Sequence, residues 1–230
     1  AEELGVPVPH FDFRVPGVTS ISADTHKYGY GLKGLSVVLY RDKSYRNHQY
    51  FMDPGWPGGT YMSPGLLGSR SGGLIAATWA GMMHLGKQEY RERAQRIFEA
   101  AFKMQDAVKK HPELRIMGEP TFCFAFTSDA FPIYHVNDFM KTRGWRFNGL
   151  QNPDALHFCV TGPQTQPGVP ERFAEDLAGA VAHAKSHASE FPKSGSVYGF
   201  SPSDGIDFSD PMLAKMVLSG AMDAFAEYPF

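Results

Sequence analysis

The chain has 230 residues, 43% of them hydrophobic and 20% charged, with a formal charge of −2. That balance suits an ordinary globular protein of one large or two small domains. The lack of a basic block argues against nucleic acid as a partner, and no apolar run approaches the roughly 18–20 residues that span a bilayer.

The chain opens AEELGVPVPHFDF, without an initiator methionine, so the expectation is a segment cut from a longer polypeptide. No secretory signal is expected. Residues 18–22 and 35–40 (LSVVLY in the second) are predicted as short strands. They bracket a glycine-rich loop that carries His26, Lys27 and Lys33. Residues 53–73, DPGWPGGTYMSPGLLGSRSGG, are predicted as an irregular loop, longer than most connections. Trp56 and Tyr61 within it argue for order.

From Leu74 the pattern turns helical. LIAATWAGMMHLG is apolar nearly all round, which predicts a buried helix. A second helix follows, with Tyr90, Ala94, Ile97, Ala101, Met104 and Val108 on one face, and Lys109, Lys110 and Pro112 as its stop. LRIMG and TFCFAFTS then read as strands, FPIYHVNDFMKTRGW as a short helix ending at Gly144, and ALHFCVTG as a strand. VPERFAEDLAGAVAHAKSHASEF reads as a helix with Pro170 in its first turn, and DPMLAKMVLSGAMDAFAEY as one more. From about residue 114 to 191 this order predicts a compact α+β domain, a small sheet with helices on one face. Cys123 and Cys159 fall in strand-like apolar runs, which predicts two buried reduced thiols.

Lysine is usually a solvated surface residue, and a strand-end lysine beside a glycine turn is the plain reading of Lys27. A catalytic lysine needs burial or a neighbouring cation, which His26 or Lys33 could supply, and its commonest use is a Schiff base with a carbonyl or with pyridoxal phosphate. GSRSGG (68–73) stands just before a helix. Its backbone N–H groups, serine hydroxyls and Arg70 could cradle a phosphate, or Ser69 or Ser71 could simply cap the helix. A Schiff-base candidate and a phosphate-cradle candidate in one short segment point jointly to pyridoxal phosphate. Other groups weigh less. His183 and His187 stand four apart on a predicted helix and read as a solvated face. His10, His48, His84, His111 and His135 are scattered. Cys159 reads as a packed strand residue with His157 on the same face.

Three stretches carry a family resemblance: SISADTHKYGY with the Lys33-Gly34 pair, GGTYMSPGLLGSRSGG (58–73), and HFCVT (157–161). Together they resemble the sphingosine-1-phosphate lyases, members of the fold-type-I pyridoxal-phosphate enzymes that also include the glutamate and aromatic amino acid decarboxylases. The resemblance runs along nearly the whole chain and implies the C-terminal half of that fold. The implied class is α/β: residues 1–112 as the end of a large cofactor-binding domain with 53–73 as an interface loop, and 113–230 as a small α+β domain. Lys27 would hold the cofactor aldehyde, and His26 would lie against the cofactor near its phosphate. Ser69 would reach the cofactor phosphate of a neighbouring subunit across a two-fold dimer. Lys33 and Tyr61 would face a phosphorylated sphingoid base. The implied reaction is retro-aldol cleavage of its C2–C3 bond to a long-chain aldehyde and phosphoethanolamine. An amino acid decarboxylase on the same scaffold, or a non-catalytic dimerisation module, are the alternatives. The family's carboxylate for the pyridine nitrogen, its stacking histidine and part of its phosphate site lie upstream of the lysine, so an associated N-terminal half is implied. Asp24 is expected to make a local hydrogen bond instead. The implied address is cytoplasmic or membrane-associated.

Overall fold

The computed structural model describes residues 1–195 and 211–227. The chain divides into two compact units, Ala1–Gln95 and Arg96–Phe230.

In the first unit, β1 (Ser20–Asp24) pairs antiparallel with β2 (Ser36–Tyr40), with Ser22 opposite Val38 and Ala23 opposite Val37. The two predicted strands are present, displaced by one or two residues. A short helix α1 (Lys43–Asn47) follows, with Asp42 accepting the Ser44 amide at its start. The stretch predicted as irregular holds a two-stranded hairpin, β3 (Phe51–Asp53) and β4 (Tyr61–Ser63). Three-residue strands leave too short an alternation for any pattern to register. Helix α2 (Gly72–Lys109) is broken at Gly86, whose φ of 62° and ψ of 172° suit only glycine.

The first turns of α2 correct the expectation of burial. Ile75, Trp79, Met82 and Met83 are all exposed, as are Val37, Val38 and Leu39 on β2. The apolar composition is there, but nothing among the described residues covers these side chains. Only Thr25 and Thr78 are buried in this unit.

The second unit has a core of its own. Four antiparallel strands stand in the order β5 (Leu114–Ile116), β6 (Cys123–Ser128), β8 (Ala155–Cys159) and β7 (Asn148–Leu150). β7 is an Asn-Gly-Leu segment of weak strand propensity and escapes the sequence pattern. On one face, Phe124 opposes Phe158 and Phe126 opposes Leu156, all buried. Against them pack Ile97, Ala101, Met104 and Val108 of α2, Val136 and Met140 of α3 (Tyr134–Thr142), and Phe173, Leu177 and Val181 of α4 (Val169–Ser186). Trp145 closes the cluster, edge-on to Phe173 at 5.2 Å, with its indole N–H donating to Asp176 at 2.8 Å. This is the small sheet with one-sided helices that the element order predicts. The last helix, α5 (Pro211–Glu227), lies where it is predicted; its flanks Asp210 and Tyr228 are outside the described residues.

Two side-chain expectations are corrected here. Cys159 is exposed and Cys123 half-buried, because alternation sends both to the face away from the aromatic core. His183 and His187 are no solvated helix face: their rings lie 4.0 Å apart, and both stand near His135, with His183 also against Phe139.

Candidate functional site

The lysine loop begins where β1 ends, and its shape is set by backbone and glycine. The Lys27 amide donates to the Asp24 carbonyl at 3.2 Å, and the Tyr30 amide to the Lys27 carbonyl at 3.1 Å. The Gly31 amide returns to the Thr25 carbonyl at 2.9 Å. A Cβ on Gly29 would stand 2.5 Å from that same carbonyl oxygen, so no side chain fits there. Thr25, buried, donates its hydroxyl to the Leu35 carbonyl at 2.9 Å and ties the start of the loop to its end.

Helix α2 holds the loop from outside. The Tyr90 hydroxyl donates to the Gly29 carbonyl at 2.7 Å. The Arg93 guanidinium lies over the Tyr30 ring at 4.9 Å and is itself held by Glu89 at 2.7 Å. These are side chains from a helix some sixty positions on, and no local pattern announces them. They are the part of the site that sequence reasoning misses.

Lys27 projects outward from this frame. Its side chain is 67% exposed, and its Nζ lies 3.0 Å from Asp24 Oδ2. Asp24 also accepts the Ser36 hydroxyl at 2.5 Å, and that bond, with Lys27 second, holds its carboxyl below the usual range. Asp24 thus makes the local bonds expected of it. His26, half-buried, has Nδ1 at 3.3 Å from the Leu35 carbonyl. A carbonyl oxygen only accepts, so Nδ1 carries the hydrogen of that contact. Lys33 is exposed further along the same loop.

The other predicted residues sit on separate elements. Tyr61 opens β4 and belongs to an aromatic cluster, 5.8 Å from Trp56 edge-on and 6.1 Å from Phe51. The turn between the strands is fixed by Asp53, which accepts the Gly55 amide at 3.0 Å. Gly58 leaves room for the Trp56 indole, which a Cβ there would meet at 2.3 Å. Ser69 is exposed in the loop before α2. Arg70 turns back onto the Gly68 carbonyl at 2.7 Å, and Ser71 supplies the helix cap by accepting the Leu74 amide at 3.3 Å. Among the described residues, no hydrogen bond or ion pair joins Lys27, Lys33, Tyr61 and Ser69 to one another. Chemically, the chain offers an exposed primary amine on a rigid loop, an imidazole donating through Nδ1 beside it, and a hydroxyl and a phenol on separate loops.

Glutamate decarboxylase from Lactobacillus brevis superposes with a TM-score of 0.59 over 76% of this chain and 42% of that one, at 20% identity. The fold is therefore of the fold-type-I pyridoxal-phosphate class, as the sequence leads one to expect. No family model matches the sequence. Relatives sharpen the likeness. The structure of sphingosine-1-phosphate lyase from Burkholderia pseudomallei matches with a TM-score of 0.83 and 58% identity, over 99% of this chain and 46% of that one. The lyase of Dictyostelium discoideum is 44% identical over 202 residues, covering 86% of this chain and 38% of the relative. The resemblance to the sphingosine-1-phosphate lyases thus holds along the stretch present, and the chain spans less than half the length of the relatives it matches.

Proposed function

We propose that this chain supplies the lysine-bearing part of a pyridoxal-phosphate-dependent carbon–carbon lyase that cleaves phosphorylated sphingoid bases between C2 and C3. One observation carries the reading: the likeness to a sphingosine-1-phosphate lyase extends over 99% of the chain and includes the loop after β1 from which Lys27 projects an exposed primary amine. The decarboxylase alternative rests on 20% identity, which speaks for the fold alone.

The residues present fit the aldehyde and phosphate ends of the cofactor: an amine, an imidazole, and a serine hydroxyl in a glycine-rich loop. When bound, pyridoxal phosphate supplies an aldehyde and a conjugated ring that accepts the electron pair left by bond cleavage. Lys27 Nζ would be the group that holds that aldehyde, once released from Asp24. His26 packs beside it with its orientation fixed through Leu35. Lys33 places a cation for the substrate phosphate, and Lys33 or the Tyr61 phenol moves the proton of the C3 hydroxyl. Ser69 serves the phosphate of a second subunit. The exposed apolar side chains of β2 and of the first turns of α2 support a partner surface, for the remaining part of the polypeptide and for a second copy.

The test uses the full-length enzyme. Borohydride reduction followed by peptide mapping places the pyridoxyl group on the peptide holding Lys27, and Lys27→Ala loses both that label and the release of long-chain aldehyde. Carbon dioxide in place of aldehyde would return the decarboxylase reading. An unlabelled Lys27 peptide in the cofactor-loaded protein would end the proposal.

A further inference from the structure

We infer that Cys123 and Cys159 form a reversible dithiol–disulfide pair on the open face of the second unit's sheet, with low-molecular-weight disulfides as its oxidant. The pair is independent of the chemistry assigned to Lys27.

The ladder decides the geometry. Cys123 and Cys159 stand directly opposite each other on β6 and β8. One step outward, the Val160 amide donates to the Phe122 carbonyl at 3.1 Å, so that position is a hydrogen-bonded pair. Bonded and non-bonded pairs alternate in an antiparallel ladder, which makes Cys123 and Cys159 a non-bonded pair. At such positions the Cα atoms lie about 4.5 Å apart and the side chains approach most closely. A disulfide spans Cα separations of about 4.4 to 6.8 Å, so a non-bonded pair falls within the range a bridge can span. Both thiols point away from Phe124 and Phe158, which occupy the core face one residue along each strand.

The two thiols differ, and the difference sets the order of events. Cys159 is exposed and its Sγ lies 3.7 Å from His157 Nε2, while Cys123 is half-buried. His157 is two residues before Cys159 and shares its face. The imidazole takes the Cys159 proton, and the thiolate attacks one sulfur of a small disulfide RSSR. A mixed disulfide forms and one RS⁻ leaves, collecting a proton. Cys123, losing its proton, then attacks Cys159 Sγ, and the second RS⁻ departs. The balance is RSSR plus two protein thiols giving one protein disulfide and two RSH. The protein is oxidised by two electrons, and the small disulfide is reduced by two.

The experiment poises the full-length protein in mixtures of reduced and oxidised glutathione, blocks remaining thiols by alkylation and maps the peptides. The expected result is a joined pair of peptides carrying Cys123 and Cys159, two hydrogens lighter than their sum and separated again by dithiothreitol. With Cys123→Ser the reaction stops halfway, and glutathione accumulates on Cys159. With Cys159→Ser, Cys123 stays unmodified. His157→Ala slows bridging severalfold without changing the product. Full alkylation of both cysteines at every poise would overturn the inference, as would equal glutathione labelling of Cys123 in Cys159→Ser.

Discussion

The two units of this chain solve the same physical problem with opposite success. The second unit buries phenylalanines from both central strands between a sheet and three helices. The first buries only two threonines among its described residues and leaves valines, a leucine, methionines and a tryptophan in the open. Ordering a residue costs on the order of 1–2 kcal/mol of backbone entropy, and only buried apolar surface offsets it at scale. The second unit meets that cost from within. The first carries the right apolar residues for strands and a helix, but no described residue covers them. The site candidates Lys27, Lys33, Tyr61 and Ser69 all belong to this unit with its uncovered apolar side chains.

Cutting the chain at the Gly86 break gives the largest expected contrast. Residues 87–230 should melt cooperatively and protect the β6 and β8 amides from exchange. Residues 1–86 alone should show neither behaviour; a cooperative melt of that fragment would undo the contrast. Point substitutions sharpen it. Phe126→Ala, in a fully buried strand position, should lower stability by about 3–5 kcal/mol in denaturant unfolding. Val38→Ala, exposed on β2, should stay within about 0.5 kcal/mol in the same 230-residue chain. The same Val38 change in the full-length protein should cost more, and an equal effect in both would argue that β2 is a true outer surface.

The smallest effect is a pH dependence confined to the second unit. Burial, then the charges of His187 and His135, lowers the His183 pKa below its ordinary 6.5, against Asp138 and Glu190. Burial likewise lowers that of His111, with Glu113 opposing and Lys185 assisting. Well above pH 6.5 both imidazoles are neutral folded or unfolded, and these two groups leave stability flat. Below it the unfolded chain binds protons that the fold refuses, so stability declines as pH falls until the folded imidazoles titrate too. Thermal melts of residues 87–230 from pH 7.5 down to 5 measure this, and His183→Gln should flatten part of the slope.

Legibility followed the same division. In the second unit the 3.6-residue stripe through Ile97, Ala101, Met104 and Val108 fixed a helix and its buried face, and TFCFAFTS fixed a strand but not its buried face, since its cysteine reads as buried and lies on the other side. In the first unit LIAATWAGMMHLG was legible as a helix but misleading as to burial. An apolar surround states what a segment can bury, and the covering surface must come from elsewhere. The hairpin at Phe51–Asp53 and Tyr61–Ser63 was hidden because its strands are shorter than a readable alternation. His26, Lys27 and the GSR loop were visible through their conjunction in one short segment, since each alone reads as plain surface. Their supports, Tyr90 and Arg93, were not, since a helix face some sixty positions away is matched to a loop only by folding.

The sequence by itself determined the order of the longer elements and the kinship of the chain, and it singled out Lys27 as the candidate amine, because these depend on residue type and short-range spacing. Tertiary structure alone decided that Cys123 faces Cys159 beside His157, that Asp24 is engaged by Ser36 and Lys27, and that the first unit's apolar residues lie uncovered. Pairing register, side-chain partners and burial are relations between distant segments, and they come into being only when the chain has closed on itself.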